Sequence, residues 1–306
     1  MALNRTNIPY GTHHWAPVEG CLRGCSYCWA QRLLERIGAA IGCDDCVDGM
    51  PHVHAERLSQ PTARQKAAVV LVAFRADVFG PWSWDWGGEA QVPTGTLAGW
   101  IANVASECPQ HKFVLLTRYP ENIPAIDWID WPENTYHGVT VTNQAEADDL
   151  IPKLLGSGVP HPWVSLEPWL GGASPRFKAG WLFDWRCAEC RRFFTQRQSM
   201  KAMSVKCPYC EHEDTHACLK HEVVGPREKV AAVIIGGQSG PGAVPMHPDW
   251  VRSLRDQCAE AGVSFMFKQW SAADRGELRM STTGHKMPVL DGRTHEDLPW
   301  VLAETR

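Results

Sequence analysis

Short apolar runs that return at intervals of about one helix constrain this chain more than any other feature. Runs at 68–74, 112–117, 136–142, 163–167, 231–236 and 263–269 are bounded by Gly, Pro or Asn, and each is followed by a stretch of helical periodicity. That alternation is the pattern of β/α units on a parallel sheet, whose strands are covered on both faces and therefore read as continuous apolar runs. A shorter strand is expected ahead of them, near Thr12 to Ala16. Between them, Trp29, Leu33, Ile37 and Ile41 recur every four residues and predict one apolar helical stripe, with Arg32, Glu35 and Arg36 off it. Leu97, Ile101, Val104 and Cys108 predict a second stripe, and Trp250, Leu254 and Cys258 a third that ends at Gly262. Cys108 and Cys258 are thereby read as small core residues. Asn143 three residues before Glu146 predicts a helix cap. The rhythm stops between Gly171 and Gly225, which divides the chain into 1–170, an insert at 171–225, and 226–306.

With 44% hydrophobic and 21% charged residues over 306 positions, a sizeable core can form. A net charge of −4 excludes a grip on nucleic acid by bulk electrostatics alone, leaving room for a local basic patch. No run of apolar residues is long enough to span a membrane, and Met1 to Tyr10 lacks the apolar core of a secretory signal. A cytoplasmic location and no membrane partner are expected. Twelve cysteines in such a setting read as metal ligands, not as a disulfide framework. Fifteen tryptophans read either as packing under loops or as platforms for stacked bases.

The cysteine spacing carries the chemistry. Gly20-Cys21-Leu22-Arg23-Gly24-Cys25-Ser26-Tyr27-Cys28 places three thiols three and two residues apart. Three thiolates ligate three irons of a [4Fe-4S] cluster and leave the fourth without a protein ligand. S-adenosylmethionine can chelate that open iron through its amino and carboxylate groups. A zinc site is the alternative. Cys187/Cys190 and Cys207/Cys210 are two C-x-x-C knuckles 16 residues apart, the spacing of a zinc ribbon, with an auxiliary iron-sulfur cluster as the competing reading. Arg186, Arg191, Arg192, Arg197, Lys201 and Lys206 make this insert basic, as a phosphate-contacting module or as a solvated knob. Cys43 and Cys46 either join His52 and His54 in a second zinc site or remain free thiols. His13 and His14 near the first strand either face the active site or are polar surface. No G-x-S-x-G, H-E-x-x-H or P-loop pattern is present.

The triad near the N-terminus, followed by β/α units, resembles the radical S-adenosylmethionine superfamily. More closely, the chain resembles the phage-associated three-cysteine-motif radical S-adenosylmethionine family. The likeness is carried by 74–79, by Leu116 to Glu121, by Gly138 to Gln144, by Ser165 to Pro168, and by Gly236 to Gly242 continuing through Pro245 to Trp250 and Phe267 to Trp270. It departs from the family at Gln238, where an acidic residue is usual, at Val244, where an arginine is usual, and in its shorter triad spacing. The resemblance implies an α/β fold, a partial (β/α)6 radical barrel with an inserted zinc-ribbon subdomain.

The matching blocks sit at the carboxyl ends of the expected strands, where parallel barrels place ligand-binding groups. Asp77, Glu167 and Lys268 are therefore expected in catalysis, and Tyr27, Arg118, Asn143, Gly236, Gly237 and Gln238 at the cofactor. Each has a structural alternative: Asn143 as a helix cap, Arg118 paired with Glu121, Glu167 paired with a neighbouring strand end. The implied cofactors are a [4Fe-4S] cluster, S-adenosylmethionine and Zn2+, with a reducing partner such as flavodoxin or ferredoxin. The implied activity is reductive cleavage of S-adenosylmethionine and radical rearrangement of a nucleic-acid base or nucleotide, for instance a thymine adduct in phage DNA. Radical modification of tRNA, repair of DNA, and a non-catalytic zinc protein that binds nucleic acid are the alternatives.

Overall fold

A computed structural model describes residues 3–87, 90–123, 129–182, 229–274, 276–281 and 284–301, together with four short strands between 185 and 215. The main sheet has eight strands: β1 (Asn4–Arg5), β2 (His13–Trp15), β3 (Val69–Val72), β4 (Lys112–Thr117), β5 (Thr135–Thr140), β6 (Trp163–Leu166), β7 (Ala232–Gly236) and β8 (Ser264–Gln269). β1 lies antiparallel to β2, and every later neighbour pair is parallel, with Trp15 opposite Val72, Leu71 opposite Val114, Thr140 opposite Ser165 and Leu166 opposite Ile235. Spatial order follows chain order, so each crossover adds a strand on the same side, and the sheet stays open because its two edge strands do not pair. The six apolar runs and the short first strand all appear: 112–117 keeps its expected bounds, the run expected at 136–142 starts one residue earlier and ends two earlier, and the others are shorter by one to three residues.

One face of the sheet carries the helices. Val70, Val72, Phe113, Leu115, Val139, Val164, Leu166, Val233 and Ile235 pack there against Leu97 and Ile101, Ile151 and Leu154, and Val251 and Leu254. These come from the helices Thr94–Glu107, Gln144–Leu155 and Pro248–Ala261. Residues 171–182, expected to open the insert, also join this core through Trp181 and Leu182. The alternate residues Leu71, Val114, Tyr136, Trp163, Ile234 and Met266 point to the helix-free face, where Tyr10, Met287 and Trp300 cover them. Trp15, Trp84, Trp163 and Trp300 are fully buried, which answers the tryptophan question for these four in favour of packing.

The first helix departs from expectation. Trp29–Ile41 forms, but its buried face is Ala30, Leu34 and Gly38, one residue round from the predicted stripe, and Trp29 and Ile41 are 46% and 50% exposed. The reason is Gly38. A Cβ there would lie 2.6 Å from the Val47 nitrogen and 2.8 Å from the Cys46 Cβ, so the short helix Asp44–Asp48 can settle only on that bare face. None of Ala30, Leu34 or Cys46 belongs to either main cluster, so this helix pair forms a satellite.

Candidate active site at the carboxyl edge of the sheet

Gly20 makes a parallel bridge to Ala76, just beyond the end of β3, so the cysteine loop starts at the carboxyl edge of the sheet. Gly20 has φ 88°, and a Cβ on it would meet the Met50 carbonyl oxygen at 2.0 Å. The Cys21 amide donates to the Gly49 carbonyl at 3.1 Å, Gly24 turns the loop at φ 68°, and the Cys28 amide donates to the Cys25 carbonyl at 3.0 Å. Cys28 then stands at the N-cap of the Trp29 helix, where backbone N–H groups favour a thiolate. All three thiols are partly exposed. Burial pushes Cys21 up to about 11, so a bare thiol there stays protonated. Behind the loop, the fully buried Glu19 carboxylate is gripped by Arg75 and Arg57.

A second cluster adjoins the loop. Asp77, 6% exposed, accepts from the Thr117 hydroxyl at 2.6 Å, from the Arg118 amide at 2.8 Å and from the Phe79 amide at 3.2 Å. Burial raises it to about 6 against these bonds. Asp77 thus ties the ends of β3 and β4 together. The Arg118 guanidinium donates to the Tyr27 hydroxyl beside Cys28 and pairs with Glu146 at 2.5 Å, while its Nε is buried with no hydrogen-bond partner. Glu146 in turn accepts from the Thr142 amide and hydroxyl at 2.7 and 2.9 Å. The Asn143 side chain accepts from the Glu146 amide at 3.0 Å, which makes it the predicted cap.

A third cluster lies farther along the same edge. Glu167 pairs with Lys268 at 2.6 Å through Oε1, and its Oε2 accepts from the Tyr10 hydroxyl and the Ser165 hydroxyl, each at 3.1 Å. Two-residue alternation explains the meeting: Trp163, Ser165 and Glu167 share the helix-free face, as do Met266 and Lys268. Burial and the neighbouring carboxylate hold Tyr10 well above its usual range, so it remains a donor. Gly236 leaves room beside Glu167, where a Cβ would approach Oε1 at 3.3 Å. Gly237 is required for another reason: its Cβ would lie 2.2 Å from the Ser271 nitrogen. Gln238 closes its own loop by accepting from the Val244 amide at 3.1 Å.

Among the described residues, one set of donors converges tightly enough to share a single ion. Cys43, Cys46, His52 and His54 bring their ligand atoms within 4.8 Å of one another. Cys21, Cys25 and Cys28 are not drawn together in that way.

Residues 5–299 match the family described as a protein of unknown function, DUF5131. The chain belongs to the DUF5131 family. No curated protein matches it. Among solved structures it is similar to spore photoproduct lyase: a cysteine-to-alanine variant with a dinucleoside spore photoproduct, the same variant alone, and a tyrosine-to-phenylalanine variant. Each is 12% identical with a TM-score of 0.38, covering 54% of this chain and 48% of the other. The chain thus spans about half the length of the structures it matches.

In this DUF5131 protein, the residues singled out from the sequence fall into two groups along the edge. Tyr27, Asp77, Arg118 and Asn143 gather around the cysteine loop, while Glu167, Lys268 and Gly236 gather beyond it. Arg118 finds Glu146, not Glu121, because Glu146 is presented by the capped first turn of the helix after β5. His13 is buried beside Thr12, and His14 contacts Arg75. Cys187, Cys190, Cys207 and Cys210 lie outside the described residues. Sequence reasoning assigned no role to Tyr10, Glu19 or Arg75, whose side-chain partners lie 38 to 157 positions away in sequence.

Proposed function

We propose that this protein is a radical S-adenosylmethionine enzyme whose cluster is held by Cys21, Cys25 and Cys28. The observation that carries this reading is the placement of three free thiols on one loop at the carboxyl edge of a parallel sheet, with the half-buried Arg118 beside them. The donor set fits the group: three soft sulfur ligands and no fourth residue in the motif. When bound, the cluster and S-adenosylmethionine supply reductive cleavage to a 5′-deoxyadenosyl radical. The chain supplies position and charge. Arg118, steadied by Tyr27 and Glu146 and with Nε unpartnered, would take the cofactor carboxylate. Asp77 fixes the loop after β4 and so acts as a positioning residue. Glu167 and Lys268, 2.6 Å apart, would hold a proton at the substrate.

A nucleic-acid base is the preferred substrate, on the strength of the basic run Arg186, Arg191, Arg192, Arg197, Lys201 and Lys206 next to the cysteine knuckles. Anaerobic reconstitution tests the reading. The expected product is brown protein with about four irons bound at the triad, which releases 5′-deoxyadenosine when reduced and does so faster with DNA or RNA present. Cys25→Ala is expected to abolish both. Colourless protein with zinc at these three sulfurs and no nucleoside product would overturn the proposal.

A further inference from the structure

We propose that Cys43, Cys46, His52 and His54 form a structural zinc site that pins the back of the cysteine loop. The four donors come from a short stretch folded on itself: Cys43 and Cys46 from the turn and helix after Gly42, His52 and His54 from the strand His52–Val53 and the residue after it. The His52 Nε2 lies 3.0 Å from the His54 Nε2, 3.5 Å from the Cys43 Sγ and 3.4 Å from the Cys46 Sγ, and the Cys46 Sγ lies 3.4 Å from the His54 Nε2. Tetrahedral zinc with ordinary bond lengths separates two imidazole nitrogens by about 3.3 Å and a nitrogen from a sulfur by about 3.6 Å. The observed separations match that polyhedron to a few tenths of an ångström.

The outer contacts also suit a metal. The other ring nitrogen of His52 faces the Met50 carbonyl oxygen at 2.8 Å, and that of His54 faces a Glu56 carboxylate oxygen at 3.3 Å. Such partners hold the ring with the far nitrogen free to ligate. Cys46, His52 and His54 are 0%, 5% and 9% exposed, and Cys43 is partly exposed. Zn2+ displaces the two thiol protons to solvent, and two thiolates then cancel its charge, so the buried complex is neutral. The buried side chains of the satellite helix pair, Ala30, Leu34 and Cys46, belong to neither main cluster. A metal supplies the missing stability.

The site reaches the proposed cluster loop through four residues. Between Cys46 and His52, the Gly49 carbonyl accepts from the Cys21 amide at 3.1 Å, and the Met50 carbonyl is the atom against which Gly20 fits without a side chain. Zinc at the four donors therefore fixes the segment on which Cys21 rests. The metal assignment stands by itself, whereas this consequence rests on the proposed cluster.

The test uses the full chain carrying Cys187→Ser and Cys207→Ser together with Cys25→Ser and Cys28→Ser, which removes metal bound by the insert and by the triad. Elemental analysis is expected to find one zinc per chain, falling at least tenfold when Cys46→Ser and His54→Asn are added. No zinc in the first protein, or no fall in the second, overturns the site. If those variants do not fold, the unaltered chain answers the same question. The partly exposed Cys43 is expected to resist native alkylation until a chelator is added, and equal labelling before and after overturns the site. Hydrogen exchange at 20–28 is expected to rise at least tenfold on zinc removal, and unchanged exchange overturns the pinning role. None of these readouts uses nucleoside release, so failure of the radical reading leaves them intact.

Discussion

Replacing Lys268 by Met removes one half of the ion pair at the carboxyl edge and leaves the Glu167 carboxylate with two neutral donors, Tyr10 and Ser165, on its other oxygen. The side chains of Glu167 and Lys268 are only 12% and 19% exposed, so water cannot take over the lost cation. Breaking a buried pair from one side costs about 3 to 5 kcal/mol, and the residual exposure places this pair near 3. For a chain of 306 residues that corresponds to a melting temperature lower by about 5 °C. Adding Glu167→Gln to Lys268→Met removes the stranded charge and is expected to recover most of the loss. Thermal melts of the four proteins at pH 7.5 give the coupling energy directly. A Lys268→Met protein that melts within a degree of the parent, or a double variant as unstable as the sum of the singles, would refute the claim that this pair is electrostatically closed.

Other substitutions report on other parts of the argument. His137 is 1% exposed, and burial lowers it to about 3. The unfolded chain takes up that proton near pH 6.5 and the native chain only near 3, so stability falls by about 1.4 kcal/mol per pH unit as acid is added across that window. His137→Phe is expected to flatten urea midpoints between pH 7 and 5 by that slope, and an unchanged slope contradicts the assignment. Asn143→Ala is expected to cost about 1 kcal/mol through loss of the cap, seen as a lower melting temperature, with Asn143→Asp close to the parent. Gly20→Ala puts a Cβ 2.0 Å from the Met50 oxygen at positive φ, a strain of about 1 to 3 kcal/mol. Iron uptake at least halved in a protein with unchanged far-ultraviolet dichroism is the expected result, and normal uptake would show that the loop tolerates the shift.

Much of the architecture was legible because parallel strands must be apolar on both faces. The runs at 112–117 and 163–167 could be placed to within a residue. Local chemistry was legible too: Asn143 capping through the Glu146 amide needs only residues three apart. The Trp29 helix was misjudged for the opposite reason. Its stripe is set by what lies across from it, and the bare Gly38 face that accepts Asp44–Asp48 has no periodic signal. The Cys43 to His54 group was visible as a spacing, but only the fold brought four donor atoms within 4.8 Å.

Composition and period by themselves determined a parallel α/β chain with thiols grouped near its beginning, because both follow from nearest-neighbour geometry along the backbone. Which charges meet was decided in three dimensions. Tyr10 reaches Glu167 across 157 positions and Arg75 reaches Glu19 across 56, since strand order and register choose the partners of a buried charge.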